Sequence, residues 1–380
     1  MPQYTYRFAN LLSDSDLCEL ELSSVRFDRR IIQPGAFSGT ITVTNRDIAD
    51  QVKKIVPART VVHVYRDGDI WGTYIIWTVK MRSSSRGPVQ VDLQGATLES
   101  WFDRRIVDMD MNFVNTDQFD IARELVDNAQ TGWTPFEGNA NLGIQYTTND
   151  SGVNRDRQYF LTEGASVGQR LQELAAVDNG FEYVINTYVD EALGYRVRKM
   201  TFATQVGSEN LDLLYTYPGA ILSYEITYDA TDSATAWWTR GDTIDDDISG
   251  TSTPLMITAP VLAESWLNNA FPHLDKVVDY SSVTDLSTLQ NYATWWKDNH
   301  SGVNAIPVIE ISTNDTTLIP PSALGTTAVF TVEDEYFGHG EFSSENRIIG
   351  IEVTPPDRGN QEKIRLVIET DVDPTDTGSV

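Results

Sequence analysis

Cysteine is almost missing from this chain: Cys18 is the only one in 380 residues. No intrachain disulfide can form, so packing and hydrogen bonds must hold the fold, and synthesis in a reducing cytoplasm is expected. Cys18 shares one side of an alternating stretch with Leu20 and Leu22, with no basic neighbour on that side. That pattern fits a small buried hydrophobe better than a reactive thiol. Histidine is scarce as well, and His63, His273, His300 and His339 stand far apart. A zinc site begins with a pair such as His-x-x-x-His or Cys-x-x-Cys, and neither is present. No run approaches the roughly 18 apolar residues of a membrane helix, and Met1–Arg7 lacks the basic-then-apolar order of a secretory leader. Neither export by a signal peptide nor membrane binding is therefore expected.

Basic residues are in deficit, 28 against 55 acidic, for a formal net charge of −27. Such a balance argues against a surface that wraps DNA or lies on anionic lipid. Two readings follow from the same charge: a soluble, self-repelling surface, or a negatively lined passage that nucleic acid traverses without sticking. The second rests on the fact that Lys and Arg contacts to phosphate supply most non-specific affinity.

What is present is β texture. The length exceeds the roughly 250–300 residues at which one core stops growing, so about two to four domains are expected. Leu17–Val25 alternates apolar and polar residues as a half-buried strand does, and after the turn Gln33-Pro34-Gly35 strand character resumes over Ala36–Val43. A short helix is expected over Asp47–Val56, capped by Asn45 or Asp47 and stopped by Pro57. Thr60–Arg66 and Ile70–Met81 flank Asp67-Gly68-Asp69, a strong hairpin signal, and Val89–Leu93 adds a third strand.

Helical spacing then takes over. Phe119, Ala122, Val126 and Ala129 mark an amphipathic helix over Asp117–Gln130, with Thr116 or Asp117 as cap. A second helix over Val167–Asp178 ends at Asn179-Gly180 in the expected left-handed position. Phe181–Val189 and Tyr195–Phe202 read as paired strands, which makes this stretch a compact α+β module inserted between all-β parts. Alternation returns at Ala220–Tyr228. A third helix is expected over Asp285–Lys297, with His300 beyond its end, and strands over Val308–Ile311, Ala328–Val332, Arg347–Val353 and Lys363–Glu369. Residues 371–380 read as a flexible acidic tail.

Few residues suggest chemistry. Asp245, Asp247, Ser249 and Gly250 match positions one, three, five and six of a calcium loop, but Met256 occupies the twelfth, where a bidentate carboxylate is required. Asp245 and Asp247 are thus weak metal candidates on an acidic loop. Gly338-His339-Gly340-Glu341 is the most enzyme-like fragment, yet a loop between strands accounts for it. No catalytic residue, cofactor or metal is expected. Nine tryptophans, including Trp237-Trp238 and Trp295-Trp296, suit subunit interfaces or sugar platforms as well as cores. Phe27-Asp28-Arg29-Arg30 reappears as Phe102-Asp103-Arg104-Arg105. Either so short a repeat is coincidence, or each copy marks a strand with its aromatic inside and a guanidinium fork at a rim, the reading that makes Arg29, Arg30, Arg104 and Arg105 interface candidates.

The order of these parts carries a resemblance. Phe27–Arg30, Pro34-Gly35-Ala36-Phe37, the Asp-Gly meander and Leu98–Arg105 follow one another, and Ile121–Val126, Ser166–Leu171, Pro218–Glu225 and Arg347–Val353 come after them. In that order they resemble the tail hub, or minor tail, proteins of long-tailed actinobacterial phages over nearly the whole chain. The resemblance implies a mainly β fold with an α+β insertion, in which tandem tail-tube-like β-barrel domains form a ring, with peripheral modules outside it. The divisions it suggests are a first barrel over 1–108, the inserted module over 109–216, a second barrel over 217–370 with a helical insertion at about 260–302, and the tail. It implies a homotrimer at the virion tail tip, assembled in the host cytoplasm, with the distal tail protein, the tape measure protein and other tip proteins as partners. DNA would pass without specific binding. Some relatives add a peptidase or lysozyme domain, which is not expected here. A contractile injection system hub and a carbohydrate-binding protein are the alternatives.

Overall fold

A computed structural model of the chain describes residues 2–85, 87–177, 179–246, 251–281, 283–301, 304–312, 324–340, 342–357 and 359–369. The first unit holds strands β1 (Tyr4–Asn10), β2 (Asp16–Glu19), β3 (Ser23–Arg30) and β4 (Ala36–Val43), helix α1 (Arg46–Val52), and strands β5 (Thr60–Arg66), β6 (Asp69–Ser84) and β7 (Gly87–Thr97). The hairpin between β5 and β6 forms where Asp67-Gly68 predicts it, with both residues at positive φ (51° and 98°), as a two-residue turn matched to strand twist requires. β5 is apolar almost throughout because both its faces are covered: Val62 and Val64 enter one core and Val61 another. The single strand expected over Leu17–Val25 is instead two. Ser24 adopts φ 53° and the ladder to β4 shifts between Ser23 and Arg26, which bends the chain and lets Leu20 reach the core. Helix α1 ends at Val52, earlier than expected, with the Asn45 side chain accepting from the Ile48 amide at 2.9 Å.

The second unit begins after a 3₁₀ helix over Leu98–Arg104. It comprises β8 (Met111–Asp117), α2 (Gln118–Gln130), β9 (Ile144–Tyr146), β10 (Asn154–Tyr159), α3 (Val167–Ala175), β11 (Glu182–Asp190) and β12 (Tyr195–Ala203). Asp117 caps α2 by accepting from the Phe119 amide at 2.8 Å, and the face carrying Phe119, Ala122, Val126 and Ala129 is buried as its spacing predicts. Helix α3 stops at Ala175, short of Asp178, because the chain turns through Asn179 at φ 52°; a Cβ on Gly180 would lie 1.9 Å from the Ala175 carbonyl oxygen. β11 and β12 pair antiparallel along their full length, and β9 joins β12 in parallel.

The third unit runs through β13 (Glu209–Tyr217), β14 (Ile221–Asp229), β15 (Ala236–Asp246), β16 (Thr251–Met256), β17 (Val261–Leu262), α4 (Glu264–Asn268), β18 (Asp275–Asp279) and α5 (Leu286–His300). It closes with β19 (Asn304–Ile311), β20 (Thr327–Val332), β21 (Phe342–Thr354) and β22 (Lys363–Ile368). Asp285 caps α5, which extends through His300 where an end at Lys297 was expected. Its last turn is held by rings, with His300 4.4 Å from Trp296 and Trp296 stacked 5.3 Å from buried Trp237.

The two outer units share one sheet. Its order is β14-β19-β22-β21-β3-β4-β7-β6-β5-β1-β2, with β20 on β21 and β13 on β20, thirteen strands in all. The seam is β3 against β21, Arg30 opposite Gly350 and Phe27 opposite Val353. A single core therefore draws Phe8, Phe27 and Tyr74 from the first unit and Phe330, Ile351 and Leu366 from the third. A second core packs α2, α3, β11 and β12 onto the other face of the first unit through Val61, Ile75, Trp101 and Phe102. A third and smaller core surrounds Leu289, Tyr292 and Ala293. The fold is mainly β with an α+β insertion, and none of its sheets closes on itself among the described residues. No helix among these residues is long and apolar enough to cross a membrane.

Candidate functional site

The most concentrated polar group lies where the module meets the first unit. Asp14, at φ 55° between β1 and β2, turns its carboxylate inward. One oxygen takes His63 Nε2 at 3.0 Å and Arg198 Nη2 at 2.8 Å, and the other takes Arg196 Nε at 2.6 Å. Arg198 also donates to the carbonyls of Leu11 and Leu142 at 2.7 and 2.8 Å. Burial raises the Asp14 pKa, but the His63 hydrogen bond, the charge of Arg198 and the Arg196 hydrogen bond outweigh it and hold the carboxyl well below the usual carboxylate range. His63 is fully buried, and that burial lowers its pKa and keeps the ring neutral. An ionised Asp14 can only accept, so Nε2 carries the proton and Nδ1 accepts from the Thr73 hydroxyl at 2.9 Å.

Asp14, His63 and Thr73 thus stand in the order of a catalytic triad. Reaction chemistry requires the hydroxyl to meet a substrate, however, and His63 at 0% and Thr73 at 5% exposure are enclosed. The arrangement joins two units.

Three further joints use the same device. Arg29, which alternation on β3 turns inward, donates to the Ile185 carbonyl (2.8 Å) and to Asn186 Oδ1 (2.9 Å), while buried Glu99 accepts from the Ile185 amide at 2.8 Å. Arg347 on β21 grips Glu182 with both Nη atoms (3.0 and 2.6 Å) and reaches Glu369 at 2.9 Å. Arg66 makes a fork to Glu362 at 2.8 and 3.0 Å, and the Tyr4 hydroxyl donates to the same carboxylate. Arg66, Arg196, Arg198 and Arg347 were not singled out by the sequence reading. Their partners are remote in sequence, and the sole local hint is the alternation that places Arg196 and Arg198 on one face of β12.

The predicted arginines separate. Arg29 is 4% exposed and committed within the chain. Arg30, part-exposed, pairs with Asp28 at 2.8 Å and Glu352 at 2.9 Å. The second copy of the motif is not a strand. Leu98, Trp101 and Phe102 bury one side of a 3₁₀ turn, which leaves Arg104 over the Trp77 ring at 3.8 Å. Arg105 donates to Ala129 and Thr131 carbonyls at 2.8 Å each, satisfying the C-terminal end of α2. The Asp245 side chain and Asp247 lie outside the described residues, and among those described no cluster of three potential metal ligands occurs. His339 is exposed and bonded to Glu333 at 2.9 Å, which raises its pKa. Cys18 sits part-buried, its Sγ facing the Gln51 carbonyl, and burial pushes its thiol up to about 11. Of the nine tryptophans only Trp133 is exposed, beside exposed Phe136.

No protein-family model matches the sequence, and no curated protein matches it significantly. Solved structures do. A tail protein from Neisseria meningitidis MC58 aligns with TM-score 0.55 at 14% identity, over 97% of this chain and 98% of that one. The 43 kDa tail protein of prophage MuSo2 from Shewanella oneidensis aligns with TM-score 0.59 at 12% identity, over 98% and 99%. A PdpA-VgrG complex from Francisella aligns with TM-score 0.51 at 12% identity, over 97% of this chain and 58% of that one. These likenesses show a shared fold.

Proposed function

We propose that this chain is a structural hub of a phage tail tip, three copies of which close a ring around the DNA passage. In this reading it joins the tail tube, the distal tail protein and the tape measure protein to the remaining tip proteins or fibres. The observation that carries the proposal is the end-to-end likeness to two tail proteins, with both chains of each pair covered almost completely. The edges of the thirteen-stranded sheet support it: among the described residues β14 at one end of its order and β2 at the other each have a strand on one side only, which leaves a side a further strand can use. Arg30 and Arg104, which retain exposure, are the arginines this proposal places at subunit contacts; Arg29 is occupied inside. The deficit of Lys and Arg fits a passage with few phosphate traps. The assignment to long-tailed actinobacterial phages rests on the order of the sequence motifs.

Light scattering of the purified chain, alone and with its two adjoining tail proteins, tests the ring. A mass three times the 42.5 kDa of the chain is expected, and a monomer under all these conditions overturns it. A second reading, the hub of a contractile injection system, is favoured by the likeness to the PdpA-VgrG complex. Mass spectrometry of purified phage particles separates the two, because the phage reading requires this chain in the virion.

A further inference from the structure

A cleft of about 500 Å³ lies between the module and the third unit, walled by β8 and β10 on one side and by Tyr280, Val283 and the first turns of α5 on the other. It is separate from the four joints. Its size suits a small molecule, but its lining is polar, with Arg155, Arg157 and Asn291 on its walls, while Asn112 and Gln158, on the outer face of the β8–β10 ladder, bond each other at 3.2 Å.

Arg157 is the informative residue. Its guanidinium lies 5.5 Å from the centroid of the Tyr292 ring, and that ring stacks on Tyr280 at 3.9 Å, so the cation rests on a rigid aromatic floor. Its Nη1 donates to the Asp156 carbonyl at 2.8 Å, while its buried Nε has no hydrogen-bond partner. No carboxylate stands within ion-pair distance of it among the described residues. The acids on the walls are already engaged: Glu173 with Arg170, Asp285 with the Thr288 amide at 2.8 Å, and Asp156 with the Asn115 amide at 2.6 Å. In a chain with 55 acidic and 28 basic residues, a held guanidinium left without an acid is available to an incoming anion.

We propose that this cleft binds a hydroxylated small molecule bearing one oxyanion, carboxylate or phosphate. Arg157 receives the oxyanion, and the Asn291 amide on the facing wall serves a hydroxyl. Saturation-transfer NMR on the full chain, with glucuronate, glucose 6-phosphate and glucose as probes, tests it. One or both anions should bind and glucose should not. A response to glucuronate assigns the carboxylate as recognised group, and a response to glucose 6-phosphate assigns the phosphate. Arg157→Gln should weaken the binding about tenfold or more. Asn291→Ala, on the exposed side of the opposite wall, should also weaken it and serves if the arginine variant does not fold. Silence from both anions at millimolar concentration, an equal response to glucose, or unchanged affinity in the foldable variant overturns the proposal.

Discussion

Arg198 offers the sharpest test of how the module is held. Its side chain is buried and makes contacts to Leu11 and Asp14 in the turn after β1 and to Leu142, two segments that meet it only in the folded chain. Arg198→Ala removes those donors, leaves two buried carbonyls unserved and takes one cation from an ionised carboxylate. Breaking a buried pair from one side costs about 3–5 kcal/mol. The matched control is Arg7→Ala, whose pair with Glu19 at 3.0 Å has both side chains about half exposed and is worth at most about 1 kcal/mol. Arg198→Met keeps most of the volume and separates lost charge from lost packing. Urea unfolding, followed by tryptophan fluorescence and by circular dichroism, gives the stability difference. With three cores a two-state transition is not assured, so amide exchange on β11 and β12 should be read alongside. The expected outcome is a loss of about 3–5 kcal/mol in both arginine variants with faster exchange in those strands. A loss under about 1 kcal/mol with unchanged exchange would refute the argument that this joint secures the module.

Because burial lowers the His63 pKa, the unfolded state takes up its proton more readily. Stability should fall below roughly pH 6.5 by up to about 1.4 kcal/mol per pH unit, and His63→Gln should flatten that slope in melts between roughly pH 6.5 and 5. The Asp14 contribution, from a lowered pKa, is present above roughly pH 4 and fades only at more acid pH, so it does not confuse the reading. With its thiol pushed up to about 11, Cys18 should be only about 0.1% thiolate at pH 8, and a thiol reagent should react much faster in urea than natively. Rapid native labelling would contradict the burial. Trp237→Ala should cost about 3–5 kcal/mol and Trp133→Ala less than about 0.5 kcal/mol, read from thermal melts. Peptidoglycan zymograms should show no clearing with the wild-type chain; clearing that disappears in His339→Ala would make this loop catalytic.

Local signals carried far in this chain. The Asp67-Gly68 turn, the Asp117 and Asp285 caps, and the buried faces of α2 and α3 are written in residues within a few positions of one another, where φ preferences, capping and periodicity act. The candidate site was far less legible. Asp14 and Arg198 are 184 residues apart, Arg66 and Glu362 are 296 apart, and no spacing rule links them. β8 and β10 pair across a long connection with few apolar residues to mark them, and Phe102–Arg105 copies Phe27–Arg30 yet coils because Leu98 and Trp101 are its neighbours. The seam between β3 and β21 draws the two ends of the chain into one core. Its register is set by which faces find cover after the chain has closed, a condition no short window contains. The β5–β6 hairpin, helices α2, α3 and α5 and the caps of α1 and α2 follow from the sequence by itself, whereas the tertiary structure decided which strands meet, which arginines are enclosed and where a cleft is left open.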